Sequence, residues 1–127
     1  MSKRRIYISG PITGIKGAAK VFKQAEKKLR SEGYETVNPY EVNSSLPPST
    51  THAEYMKISF DLMDMCEYMY VLDGWQYSIG ARMEVFKAMN ENKKVRFQTP
   101  TETHIFESET GARFQAMIKS NQIRQQA

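Results

Sequence analysis

Ser78, Gly80 and Glu84 have the residue types and the spacing to work on a small anion. They close the segment Leu72-Asp73-Gly74-Trp75-Gln76-Tyr77-Ser78-Ile79-Gly80-Ala81-Arg82-Met83-Glu84. It reads as the end of a buried strand, a glycine-containing turn, and the first turn and a half of a helix. Ser78 stands at an N-cap, where its oxygen accepts an N–H from the next turn. Capping is also its plainest role, but the hydroxyl can serve a ligand when the helix start faces a pocket. Gly80 has no side chain, so a ligand can approach the backbone closely. Glu84 lies one turn further on the same face, with small neighbours in Ala81 and Ala88. A carboxylate flanked in this way is accessible and partly desolvated, as a nucleophile or general base needs to be. The plain alternative is a surface Glu84–Lys87 pair at i,i+3, worth a few tenths of a kcal/mol, and spacing alone slightly favours it.

A second candidate is the loop Gly10-Pro11-Ile12-Thr13-Gly14. Backbone N–H groups at a tight turn before a helix suit a phosphate or carboxylate, and Lys16 could add charge. The loop matches neither G-x-G-x-x-G nor a P-loop, so a simple strand-to-helix turn fits it equally well. Asp61, Asp64 and Glu67 recur every three residues and read as a solvated acidic face rather than a metal site. His52 and His104 lack ligand spacing to another His or Cys, so no metal or cofactor is expected. Cys66 reads as a small buried hydrophobe. Trp75, after a turn glycine, could stack on a nucleobase, plug the edge of the core or meet another subunit.

The elements that must position these residues alternate. Arg5 to Ser9 is a β-rich strand ending at Gly10-Pro11. Ala18, Phe22, Ala25 and Leu29 recur at helical spacing, and Gly33 ends that helix as an αL cap. Tyr34 to Val37 is a second strand, stopped by Asn38-Pro39, and residues 40 to 51 read as a loop. Tyr55, Ser59, Leu62 and Cys66 make one stripe of a second helix. Tyr68 to Leu72 is a strand buried on both faces, Ser78 to about Glu91 a helix, and Lys94 to Phe97 a strand. The tail from 101 is polar, with a weak helical stretch from Arg113 to Arg124. This alternation predicts a single α/β domain over 1–127 with its core at about 5–97. The expected architecture is three-layered and flavodoxin- or Rossmann-like, a parallel sheet of four to five strands with helices on both faces. Strand order 2-1-3-4 would open a crevice where the ends of the first and third strands lie side by side. Gly10 to Gly14 and Asp73 to Ser78 would then face one pocket.

The bulk figures agree with a soluble globular chain: 127 residues, 40% apolar and 25% charged. No apolar run approaches a membrane span. The apolar stretch after Met1-Ser2-Lys3-Arg4-Arg5 is too short for a signal peptide. A lone cysteine forms no internal disulfide, and a reducing cytoplasmic setting is the simplest. The formal charge of +4 is spread along the chain. It suits a small anion better than a nucleic-acid polymer.

Tyr7 at the end of the first strand, Gly10-Pro11, the strand ending at Pro39, Leu72-Asp73-Gly74 and Ser78-Ile79-Gly80-Ala81-Arg82-Met83-Glu84 together resemble the nucleoside 2-deoxyribosyltransferase superfamily. The resemblance covers roughly residues 5 to 97. Tyr7-Ile8-Ser9-Gly10-Pro11-Ile12-Thr13-Gly14, Cys66-Glu67 and Gly74-Trp75 look like a branch common in phages and bacteria. The resemblance implies that Glu84 attacks C1′ of a 2-deoxyribose while the bond to the base breaks, through an oxocarbenium-like transition state. It implies that Tyr7 holds that carboxylate, and it matches Asp73 to the aspartate of the superfamily's Leu-Asp-Gly turn. It assigns substrate contacts to Gly10, Pro11, Ile12, Ser59, Trp75, Ser78 and Gly80. Transferases of free nucleosides tend to carry an aspartate at position 78, whereas a serine there marks hydrolases of deoxynucleoside 5′-monophosphates. Ser78 at a helix start attracts a phosphate. Ser59 stands where characterised members carry an aspartate near the leaving base, which leaves protonation of the base unassigned. The expected activity is therefore an N-glycosidase on deoxynucleotides. The alternatives are a nucleotide-binding module without turnover and a base-exchanging transferase. The same resemblance implies a homodimer or larger homo-oligomer, and the cytoplasm (the host's if phage-encoded) is the expected location.

Overall fold

A computed structural model of the protein describes residues 4–99. The expected helical stretch 113–124 and His104 lie outside the described residues.

Strand β1 is Arg5–Ser9, with Ile6 to Ser9 all buried. A continuous buried run is what a parallel strand covered on both faces requires. Helix α1, Ala18–Ser31, buries Ala18, Phe22, Ala25 and Leu29, the predicted stripe. It also buries the Glu26 carboxylate, which Asn38 Nδ2 (2.9 Å) and the Arg30 guanidinium (2.7 Å) hold. Strand β2 is Glu35–Val37.

The stretch predicted as a loop from residue 40 begins instead with a short helix α2, Pro39–Ser44. Asn38 caps it by accepting the Tyr40 N–H at 3.0 Å, and Pro39 fills a first-turn position where no N–H is needed. Asn-Pro therefore starts a helix here as well as stopping a strand. Helix α3, His52–Asp64, opens with a capping box. The Thr51 hydroxyl accepts the Glu54 N–H at 3.2 Å, and the Glu54 carboxylate accepts the Thr51 N–H at 2.9 Å. Its buried stripe is Met56, Ser59 and Met63, with Tyr55 and Leu62 only half-buried. Cys66 lies beyond the helix end, buried under the sheet rather than on the helical stripe.

Strand β3, Tyr68–Val71, leads into a 3₁₀ turn, Trp75–Tyr77, then helix α4, Ile79–Asn90, and strand β4, Lys94–Phe97. The described strands form one parallel sheet in the predicted order β2-β1-β3-β4. Successive side chains of a strand point to opposite faces, and the two cores divide accordingly. Ile6, Ile8, Tyr70 and Leu72 pack with α1 on one face. Tyr7, Met69, Val71 and Phe97 pack with α3 and α4 on the other. Ser9 pairs with Val71 at the carboxyl end of the β1–β3 ladder, so the switch-point crevice opens there. Among the described residues, no helix is long and apolar enough to cross a membrane.

Candidate active site

Tyr7 and Ser9 alternate with Ile6 and Ile8, so both project from β1 toward α4. Glu84, one and a half turns into α4, reaches down onto them. The Tyr7 hydroxyl donates to Glu84 Oε2 at 2.5 Å, and the Ser9 hydroxyl donates to Oε1 at 2.7 Å. The Ser59 hydroxyl on α3 lies beside Tyr7 and Glu84 and pulls the pKa of both down. All four residues are buried, Glu84 being 6% exposed. Ala81 and Ala88 flank it and are buried with it. The surface Glu84–Lys87 pair favoured by spacing is not formed. Lys87 turns to Asp64 at 2.9 Å and Glu91 at 2.6 Å.

Burial pushes the Glu84 carboxyl up to about 7, against the opposing pull of the Tyr7, Ser9 and Ser59 hydroxyls. The Tyr7 phenol is held well above its ordinary value, first by burial and then by the neighbouring Glu84 charge. Tyr7 therefore stays protonated at neutral pH and remains a donor. A desolvated carboxylate held by neutral hydroxyls keeps its charge concentrated, which suits a nucleophile or a stabiliser of an adjacent cationic centre.

The remaining predicted residues fall around this centre. Ser78 caps α4, its oxygen accepting the Ala81 N–H at 3.2 Å. The cap bond uses a lone pair and leaves the hydroxyl proton available to a ligand. Gly74, at φ 87°, takes a left-handed conformation that a side chain would strain. A Cβ placed on it would lie 3.6 Å from Pro11 Cγ. The Gly10 and Asp73 loops thus adjoin across the switch point, as the strand order requires. Ile12 is half-buried against the α1-side core, and Lys16 is exposed. Helix α1 begins at Ala18, where the predicted stripe starts, and residues 10–17 connect it to β1.

Three of the predicted residues also have neighbours within the fold. Gly80 is where α3 packs, since a Cβ there would meet Met56 Sδ at 3.4 Å and His52 Cε1 at 3.9 Å. Those are ordinary van der Waals distances, so Gly80 lies against α3. Trp75 is 3% exposed, with its ring centroid 5.6 Å from that of Phe97. Of the three roles open to it, the edge of the core is the one it fills. Asp73 is exposed; its carboxylate accepts the Thr99 hydroxyl at 2.5 Å, and its N–H donates to Gln98 Oε1 at 2.9 Å. It pins the β3 loop to the end of β4.

Ser9 went unnoticed in the sequence. Its signal was available: a polar residue two positions from Tyr7, in a strand otherwise apolar and therefore on the same face. Among the described residues, no cluster of three or more His, Cys, Asp or Glu is arranged to hold a metal. Burial pushes the Cys66 thiol up to about 11, away from the reactive range.

A family model described as "Domain of unknown function (DUF4406)" matches residues 4–97, which takes in all of the described helices and strands. No curated protein matches the chain.

Proposed function

The chain belongs to the DUF4406 family, and we propose that it is an N-glycosidase acting on 2′-deoxynucleoside 5′-monophosphates. The observation that carries this reading is the buried Glu84 carboxylate, held by Tyr7 and Ser9 at the carboxyl end of β1. A Glu84 oxygen attacks C1′ of the deoxyribose, and the C1′–N bond breaks with its electron pair leaving on the base. Water then attacks C1′, the ester bond to Glu84 breaks, and the carboxylate is restored. Water supplies the new sugar hydroxyl and the proton that the free base carries away. The Ser78 hydroxyl and the N-terminus of α4 suit the 5′-phosphate, and the adjoining Gly10–Pro11 loop closes the other side of the crevice. The resemblance to deoxyribosyltransferases supports the same assignment of Glu84 and Tyr7. Cytoplasmic location and self-association belong to this reading.

The test is incubation with a panel of deoxynucleoside 5′-monophosphates, with products separated by chromatography. Free base and deoxyribose 5-phosphate are expected. No base from any substrate at near-stoichiometric enzyme overturns the proposal. Because the nucleophile must be ionised, kcat/KM is expected to rise about tenfold per pH unit below about 7 and to level off above it. A profile flat from pH 5 to 9 contradicts Glu84 as the nucleophile.

One observation favours a second reading. Ser59 contributes a hydroxyl to the Tyr7–Glu84 group, not a carboxylic acid that could protonate a departing base. A nucleotide-binding module without turnover would need no such acid. Calorimetric binding of a deoxynucleotide, with no product after hours, selects that reading.

A further inference from the structure

We propose that Ser9 is a positioning residue: with Tyr7 it clamps the two Glu84 oxygens in line with β1, and Ser59 steadies the clamp from α3. The inference rests on the reading of Glu84 as the nucleophile, and it assigns a role that the resemblance does not supply.

The geometry is that of a two-point grip. Tyr7 and Ser9 are the same-face i,i+2 pair of one strand, so their side chains rise side by side. One meets Oε2 at 2.5 Å and the other Oε1 at 2.7 Å. A single donor would leave the carboxylate free to rotate about its terminal bond, a broad and soft torsion. Two donors from one strand fix its plane, and the oxygen that faces C1′ is fixed with it. Ser9 is fully buried, so water does not replace its hydroxyl when it is removed. Its register partner is Val71, which offers no competing side-chain acceptor.

The groups that face Glu84 are few. β1 presents Tyr7 and Ser9, and α3 presents Ser59. Cys66, past the end of α3, bears on Tyr7. On α4 itself, Lys87 is engaged with Asp64 and Glu91, and Arg82 is exposed. The ionised form of Glu84 therefore depends on neutral hydroxyls, and each one lost should show.

The experiment reads the carboxyl directly, without substrate. Protein labelled at glutamate Cδ is titrated by carbon NMR, and the Glu84 resonance is assigned by its absence in Glu84→Gln. Ser9→Ala is expected to raise the Glu84 midpoint by about one pH unit. Ser9→Cys keeps the side-chain shape with a somewhat larger atom and replaces the hydroxyl with a weak donor, and it is expected to move the midpoint the same way. Ser59→Ala is expected to give a smaller rise. In the glycosidase assay, Ser9→Ala should lower kcat by about tenfold or more with KM little changed, and its acid limb should shift with the NMR midpoint.

An unmoved midpoint in both Ser9 variants overturns the clamp, whatever the activity does. A shift in Ser9→Ala but not in Ser9→Cys also overturns it, because packing rather than donation would then be the cause. A shift in both, in a protein that releases no base from any nucleotide, upholds the clamp and sinks the glycosidase reading instead.

Discussion

Glu84→Gln is expected to reduce base release by at least about a thousandfold and, at pH 8, to make the protein more stable. Both effects come from the same burial. The Glu84 carboxyl titrates near 7 in the folded chain against an ordinary 4.5. Below 4.5 the carboxyl is protonated whether folded or unfolded, and its neutral form contributes fully to native stability. As pH rises, the unfolded chain ionises first and that contribution drains away, until by about 7 both states are ionised. The loss across this window is about 3 kcal/mol. Glutamine has the shape but no charge, and the Tyr7, Ser9 and Ser59 hydroxyls can rotate to meet an amide. Thermal melts followed by circular dichroism should therefore coincide for the two proteins near pH 4.5. They should separate as pH rises, with the variant melting higher at pH 8 by roughly 10 °C. A variant that melts below the wild type at pH 8 would show that the carboxylate is stabilised in place and that desolvation does not govern it. Exchange of activity for stability at one residue is the usual mark of a functional site.

Gly10→Ala is expected to be the most damaging small substitution in the first loop. A Cβ at this position would come within 2.8 Å of both Cβ and Cδ1 of Leu72. Leu72 is buried, and its Cβ is fixed to the backbone, so changing rotamer relieves only part of the clash. The ends of β1 and β3 must move apart, against the Leu72 N–H to Ser9 carbonyl bond of 2.8 Å. Overpacking of this kind costs about 3 kcal/mol, and the melting midpoint should fall by roughly 10 °C. Activity should fall more steeply than stability, because the displaced strand end carries Ser9. Measured at a temperature where the variant is fully folded, an unchanged kcat would show that the strand ends tolerate the extra methyl without disturbing Glu84.

The sequence carried the framework of this site further than its details. The strand order could be anticipated because continuous apolar runs and helical stripes alternate, and handedness leaves few ways to connect them. Glu84 was visible as a carboxylate among alanines, but spacing along one helix could not say whether that face met solvent or a strand. Only the β1–α4 contact decides, and it joins residues 75 and 77 positions apart. Gly80 and Trp75 were ambiguous for a related reason. A missing side chain and a large ring are equally useful to a ligand and to a packing neighbour, and the neighbours here come from α3 and β4. α2 was missed because Asn-Pro ends strands and begins helices with the same chemistry. Ser9 could have been found by applying the period-two rule to polar residues as well as apolar ones.

The distance in sequence between β1 and α4 has a consequence for how the protein assembles. Glu84 meets its partners only when the chain between β1 and α4 has folded back to bring the two together. Until then its carboxylate is free to stay in water at its ordinary acidity. Docking of α4 on β1 therefore removes a charge from solvent at neutral pH, or takes up a proton to avoid doing so. The site exists only where that long-range contact is closed, and its ionisation couples the closure to the acidity of the surrounding solution.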